Sequence, residues 1–261
     1  MVKRAAVFVF VVSLLCCPML PAQDSPASGT PVSGPAIIGR TLVVIPFENA
    51  SPTPGLEWLG ESFPETFHEQ LNSPVLYVAS RDERLRAYDR QGVPAGVHAS
   101  RATLYRLAEQ MDVDYAVLGS YSYDGARLTA VGQLLDMRAL KLLPAATESS
   151  PLADLGNLQS ALAWDLLRSI RSDFSVPKDK YVAGILPVRL DAQENYVRGL
   201  LATTADEKVQ HYREAVRLNP AYPSALLELG KTYYARIVAH SERKPTACRA
   251  LPALSPTRCR T

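Results

Sequence analysis

The sequence predicts an α+β protein: a mixed sheet with packed helices, followed by an all-α segment of the tetratricopeptide-repeat type. Three observations carry this. Between residues 40 and 172, apolar β-branched runs alternate with stripes of helical period. At 124–125 an Asp-Gly turn joins two β-rich runs, the signature of an antiparallel hairpin. From residue 191 onward the apolar period is helical. Hydrophobic residues make up 47% and charged residues 21% of 261, which excludes wholesale disorder and a multi-span membrane protein.

The first element is TLVVIPF (41–47), nearly all apolar, which suits a strand buried on both faces. Leu56, Leu59, Phe63, Phe67 and Leu71 then place one apolar stripe on a helix. Pro64 interrupts it, so the helix either kinks there or starts at Ser62 with Glu65 completing a capping box. VLYVAS (75–80) reads as a second strand, and RDERLRAYDRQG (81–92) as a short charged helix ending at a glycine. Ser100 can cap a third helix striped by Leu104, Leu107, Ala108 and Met111. YAVLGSYSYD (115–124) and RLTAVGQLLDMR (127–138) form the hairpin, and KLLPAATES (141–149) adds a short strand. Leu155, Leu158, Leu162, Leu166 and Ile170 line a further helix. Strands mixed with helices in this order imply one sheet with helices against it over 40–172.

Flanking segments frame this domain. Lys3-Arg4 precedes a 13-residue apolar run to Cys17, too short for a membrane span of ~20 residues, and Ala22 offers a cut before Gln23. Residues 1–22 therefore read as a secretory signal peptide, with export to the periplasm expected; an uncleaved membrane anchor is the alternative. A lipoprotein needs a small residue before its acylated cysteine, and Leu15 precedes Cys16. Residues 23–39, rich in Pro, Ser and Gly, read as a flexible linker. The segment 18–247 has no cysteine, so it holds neither a thiolate metal site nor a Cys nucleophile. Net charge is +2, with basic groups at both ends and a mildly acidic body between, which gives no case for nucleic-acid binding.

Within 40–172 the runs VVIPFENAS, GLEWLGESF and AEQMDVDYAVLGSYSYDGARLTAVGQLLDMR resemble the TolB amino-terminal-like domain of bacterial envelope proteins. The matching residues are Pro46-Phe47, Asp112, Asp114-Tyr115, Gly119-Ser120-Tyr121, Gly125 and Asp136. The chain departs from that pattern at MRALKLLP, where the family usually places a Thr-Gly turn. The resemblance implies a domain that offers docking surface and carries no catalytic residue.

After a Pro-broken connector (173–190), residues 191–236 resemble tetratricopeptide repeat helices, whose unit is two helices with a period of ~34 residues. Tyr196, Gly199, Tyr212, Ala215 and Pro220 fit one unit, and Leu226, Leu229, Gly230, Tyr233 and Tyr234 fit the first half of the next. The resemblance implies that these ten residues pack the repeat or line its groove. About three units are needed for a continuous core, so Leu226, Leu229 and Tyr233 are expected to be partly uncovered. Residues 237–261 read either as the end of a truncated or frame-shifted array or as a disordered basic tail.

No phosphate-binding Gly-rich loop, HExxH, GxSxG or EF-hand pattern is present, and no cofactor is expected. Glu65, His68 and Glu69 share one helix side, which reads as a solvated polar face, the alternative being a set that orients a metal or a general base; a rival reading places Glu61, Glu65 and His68 in the cleft of a hydrolase or glycan-binding module. Asp112, Asp114 and Asp136 read as turn and edge residues rather than a cation cluster. Tyr115, Tyr121 and Tyr123 alternate onto one face, either half-buried or an exposed aromatic platform. The function expected is therefore a non-enzymatic scaffold of the envelope with a protein or peptide partner, membrane contact only through the signal segment, and self-association through incomplete repeats. A sensory or regulatory protein is a third reading.

Overall fold

The computed structural model describes residues 39–51, 53–94 and 100–243. The expected signal peptide, the linker over 23–38 and the basic tail past 243 lie outside the described residues.

Strand β1 (Arg40–Val44) forms where the β-branched run stands, and Leu42, Val43 and Val44 are buried. It lies between β3 (Leu76–Val78) and β4 (Tyr115–Tyr123), parallel to both. Leu42 and Val44 face one core while Val43 and Ile45 face the other, so the strand is apolar on both sides. The chain then passes Pro46 and Phe47 into β2 (Glu48–Asn49), which also runs parallel to β4.

The hairpin forms as expected between β4 and β5 (Arg127–Asp136), with Tyr123 opposite Leu128. Gly125 takes φ +97°, a conformation that glycine adopts without steric cost, and Asp124 Oδ1 accepts from the amides of Ala126 and Arg127. Past Asp136 the turn closes without glycine. Asp136 Oδ1 accepts from the amides of Arg138 and Ala139, and Leu140 takes φ +53°. The single strand expected over 141–149 is two strands, because Pro144 has no N–H to give a ladder. β6 (Lys141–Leu142) pairs with one end of β5, and β7 (Ala146–Pro151) with the other. The sheet order is β3-β1-β4-β5-β6, with β2 on β4 and β7 on β5.

Helices cover both faces. On one side lie α2 (Arg81–Arg90) and α3 (Arg101–Gln110), capped by Ser80 and Ser100; Ser80 forms a full capping box with Glu83. On the other lie α1 (Trp58–Leu71) and α4 (Leu155–Ile170). The rings of Phe47, Phe63 and Phe67 pack together in that layer, Phe47 on Phe63 at 4.2 Å. Helix α1 does not begin at Ser62. It runs from Trp58 through Pro64, and Ser62 Oγ donates back to the Leu59 carbonyl at 2.7 Å. Tyr115 and Tyr121 are buried in the same layer, so the aromatic face of β4 is core, not platform.

The connector holds a short helix, α5 (Lys178–Ala183), tied back when Lys178 Nζ reaches Asp165 at 2.7 Å. Helices α6 (Leu190–Leu201), α7 (Ala205–Leu218) and α8 (Pro223–Arg243) follow. Thr204 and Glu207 make the capping box that starts α7. Helix α8 runs on past residue 236, where the basic tail was expected to begin. The core on the α1 side continues without a break into this segment, through Ala192, Tyr196, Val197 and Tyr212.

Candidate functional site

The helical segment is built around one hairpin contact. A Cβ on Gly199 of α6 would lie 2.4 Å from the ring of Tyr212 on α7, so only glycine lets the two helices close to this distance. Tyr212 and Ala215 are buried, and Tyr196 stands 6.2 Å from Tyr212 and 5.1 Å from Tyr222 between ring centroids. Pro220 is exposed in the turn before α8. Leu229 is half-buried against the core.

Helix α6 sits on α1 and α4 through polar side chains that no sequence motif marks. Gln193 Nε2 donates to Thr66 Oγ1 at 3.1 Å and to Gln159 Oε1 at 3.0 Å, and Gln159 Nε2 donates to Ser62 Oγ at 2.8 Å. All four residues are buried. Their partners lie on three separate helices, so the network links α6 to both helices of the α/β layer. Satisfied in this way, buried amides and hydroxyls specify one packing, because any other leaves them unpaired at a cost of about 1–3 kcal/mol each.

The acidic side of α1 faces the same junction. The Tyr196 hydroxyl donates to Glu65 Oε2 at 3.0 Å, and the Ser224 hydroxyl donates to Glu69. Burial, reinforced by the charge of Glu61, pushes the Glu65 carboxyl up to about 7. Partial desolvation also raises the Glu69 carboxyl although the residue stays exposed, and burial, helped by the Glu65 charge, raises the Tyr196 hydroxyl. Glu61 points elsewhere, to Arg84 and to Arg81 Nε at 3.0 Å. His68 Nδ1 lies 2.9 Å from the Val78 carbonyl. Glu61, Glu65 and His68 therefore share no partner and do not converge on one point. The three aspartates also do turn and edge work: Asp114 Oδ2 accepts from the Thr41 amide at 2.9 Å, Asp136 braces its turn, and Asp112 adopts φ +51°.

A cavity of about 530 Å³ opens at the carboxyl end of β1, walled by Ile45, Tyr88, Leu104 and the Glu61–Arg84 pair. In open α/β sheets this end of the strands is where ligands bind.

The outer part of α8 differs from the rest of the segment. Leu226, Leu227, Tyr233, Tyr234 and Ile237 are 46%, 58%, 41%, 70% and 68% exposed. Gly230 is exposed, and a Cβ there would meet nothing within 4 Å. Of the ten residues expected to pack the repeat or line its groove, Tyr196, Gly199, Tyr212 and Ala215 thus come together inside, while Leu226, Gly230, Tyr233 and Tyr234 share the open side.

An α/β layer carrying a short helical-repeat segment is the class of protein this architecture defines. Residues 206–236, which span α7 and the first part of α8, match the family model described as TPR repeat. In fold, the chain is similar to the LpoB C-terminal domain from Escherichia coli, at 15% identity over 43% of this chain and 82% of that one (TM-score 0.37). It is similar to TolB from Acinetobacter baumannii, at 14% identity over 51% of this chain and 29% of that one (TM-score 0.36). It is also similar to lipoprotein GNA1162 from Neisseria meningitidis, at 20% identity over 52% and 99% (TM-score 0.36). No curated protein sequence matches the chain. No described helix is long and apolar enough to cross a membrane.

Proposed function

We propose that this chain is a non-enzymatic interaction protein of the cell envelope, which holds a protein or peptide partner against its repeat helices. The observation that supports this most is the open apolar side of α8, where five large side chains are exposed on a helix whose inner side is packed. Apolar surface gathered in one place marks an interaction site. The match of 206–236 to the TPR repeat model supports the same reading, since stacked repeat helices bind partner segments along their faces. The α/β layer serves as the rigid seat, locked to α6 by Gln193 and Tyr196. The location rests on the basic and apolar N-terminal run. A glycan or small-molecule module would use the cavity beside β1, but its acid, Glu61, is already held by two arginines.

The test is a photo-crosslinking amino acid placed singly at Leu227, at Tyr234 and at Leu186, which is 91% exposed on the connector. Irradiation of the full chain in intact envelopes is expected to give a discrete adduct with another protein from the two α8 positions alone. Equal labelling from Leu186, or no adduct from α8, refutes the reading.

A further inference from the structure

We propose that the open side of α8 is the contact face of a symmetric dimer, in which two copies of this chain cross antiparallel at Gly230. This rests on the reading of α8 as a contact surface and names one occupant for it. At 3.6 residues per turn, Leu226, Leu227, Gly230, Tyr233, Tyr234 and Ile237 fall within an arc of about 120°, with Gly230 at its middle. No charged residue lies inside the arc. Lys231 stands beyond its border and pairs at 2.6 Å with Glu228, farther round the helix.

Gly230 is the key to what covers this arc. A glycine inside a helix costs about 1 kcal/mol against alanine. Two other helical glycines of this chain are explained by what presses on them: Gly199 by the Tyr212 ring, Gly60 by the Phe47 backbone. Gly230 has the same freedom for close approach, and nothing among the described residues uses it. A second backbone crossing at this notch supplies the missing neighbour.

A second copy fits that notch by symmetry. With Gly230 on the two-fold axis, Leu226 stands opposite the partner's Tyr234, and Leu227 opposite the partner's Tyr233. Each pair sets an aliphatic side chain against a ring, and the two apolar arcs cover one another end to end. The exposed parts of these side chains amount to roughly 500 Å² per chain, hence roughly 1,000 Å² in the pair, the lower bound for a specific interface. The dimer is therefore weak and concentration-dependent, with a dissociation constant in the micromolar range.

The experiment is sedimentation velocity on the full chain from about 1 to 200 μM, with no other protein present. The wild type is expected to pass from monomer to dimer across this range. Tyr234→Glu is expected to weaken the dimer at least tenfold, and Leu226→Lys/Tyr234→Glu to recover most of that loss, because this register alone brings the new charges together. Both positions are exposed, so thermal melts at low concentration should match the wild type. A monomer throughout, a dimer that ignores Tyr234→Glu, or a double variant no tighter than the single one would each overturn the proposal. In a monomer, radical footprinting separates the other occupants: a shielded Tyr234 assigns the face to residues beyond 243, a reactive one to a foreign helix. The measurement involves no envelope partner, so its failure leaves the crosslinking test above to decide on its own.

Discussion

The amide of Phe47 donates to the carbonyl of Gly60 at 3.0 Å. In an uninterrupted helix that carbonyl would serve the amide four residues on, but that residue is Pro64, which has none. The proline that looked like a helix breaker instead frees an acceptor for the loop after β1. The approach is close, since a Cβ at position 60 would lie 2.6 Å from the Phe47 carbonyl oxygen. Gly60→Ala is expected to lose roughly 1–3 kcal/mol through forced displacement of that loop. A thermal melt in which the variant and the wild type coincide would contradict this.

Arg84 completes the edge of the sheet. β3 ends at Val78, and the amide of Ala79 takes the Leu42 carbonyl at 2.8 Å. The Val44 carbonyl has no strand beside it and accepts from Arg84 Nη1 at 3.0 Å, while Nη2 pairs with Glu61. Arg84→Met strips a buried carbonyl of its donor and leaves the buried Glu61 carboxylate with Arg81 alone, and a loss of about 3 kcal/mol is expected. Urea titration measures it. Adding Glu61→Gln should return part of the loss, because no buried charge then remains.

The junction under α6 carries a pH dependence whose sign follows from Glu65. Its carboxyl sits near 7 in the folded chain against an ordinary value of 4.5, because burial and the Glu61 charge oppose ionisation while Arg84 and Arg81 partly offset them. The folded state thus holds a proton that the unfolded chain releases. This contribution is fully present below about 4.5 and is lost as pH rises through 7, with a span of up to about 3 kcal/mol. Glu65→Gln keeps an acceptor for Tyr196 and cannot ionise. It is expected to be more stable than the wild type at pH 8 and to flatten the fall between pH 5 and 8. Parallel stability curves for the two proteins would show that Glu65 is not the source.

Gly230 and Gly199 should respond in opposite directions to the same change. Gly199→Ala drives a methyl into the Tyr212 ring and should destabilise by roughly 1–3 kcal/mol. Gly230→Ala meets nothing among the described residues and should stabilise the monomer by up to about 1 kcal/mol. If two copies cross at this notch, the same alanine also weakens their association. Melting curves at low concentration and sedimentation at high concentration read the two effects separately.

Much of this was legible in the residues. The periods of β1, α4 and α6–α8, the Asp124-Gly125 turn and the Ser100 cap all depend on side chains within a few positions of one another, and they stand where the sequence places them. Pro64 misled because its consequence lies at Phe47, outside its own helix. The strand expected after Leu140 divided because Pro144 interrupts the ladder. Gln193, Gln159 and Thr66 carry no local pattern at all, and nothing in the spacing of polar residues announces that they meet.

By itself, then, the sequence determined which segments are strands and helices, where the hairpin turns, and which helices are of the repeat type, because those choices are made by backbone sterics and apolar period over short stretches. Only the tertiary structure decided that Glu65 is half-buried under Tyr196, 131 positions away, that Arg84 ends the sheet, and that α8 leaves one side bare among the described residues. Burial, desolvation and close approach depend on what the rest of the chain brings alongside a residue, and that is a property of the packed molecule rather than of any stretch of its sequence.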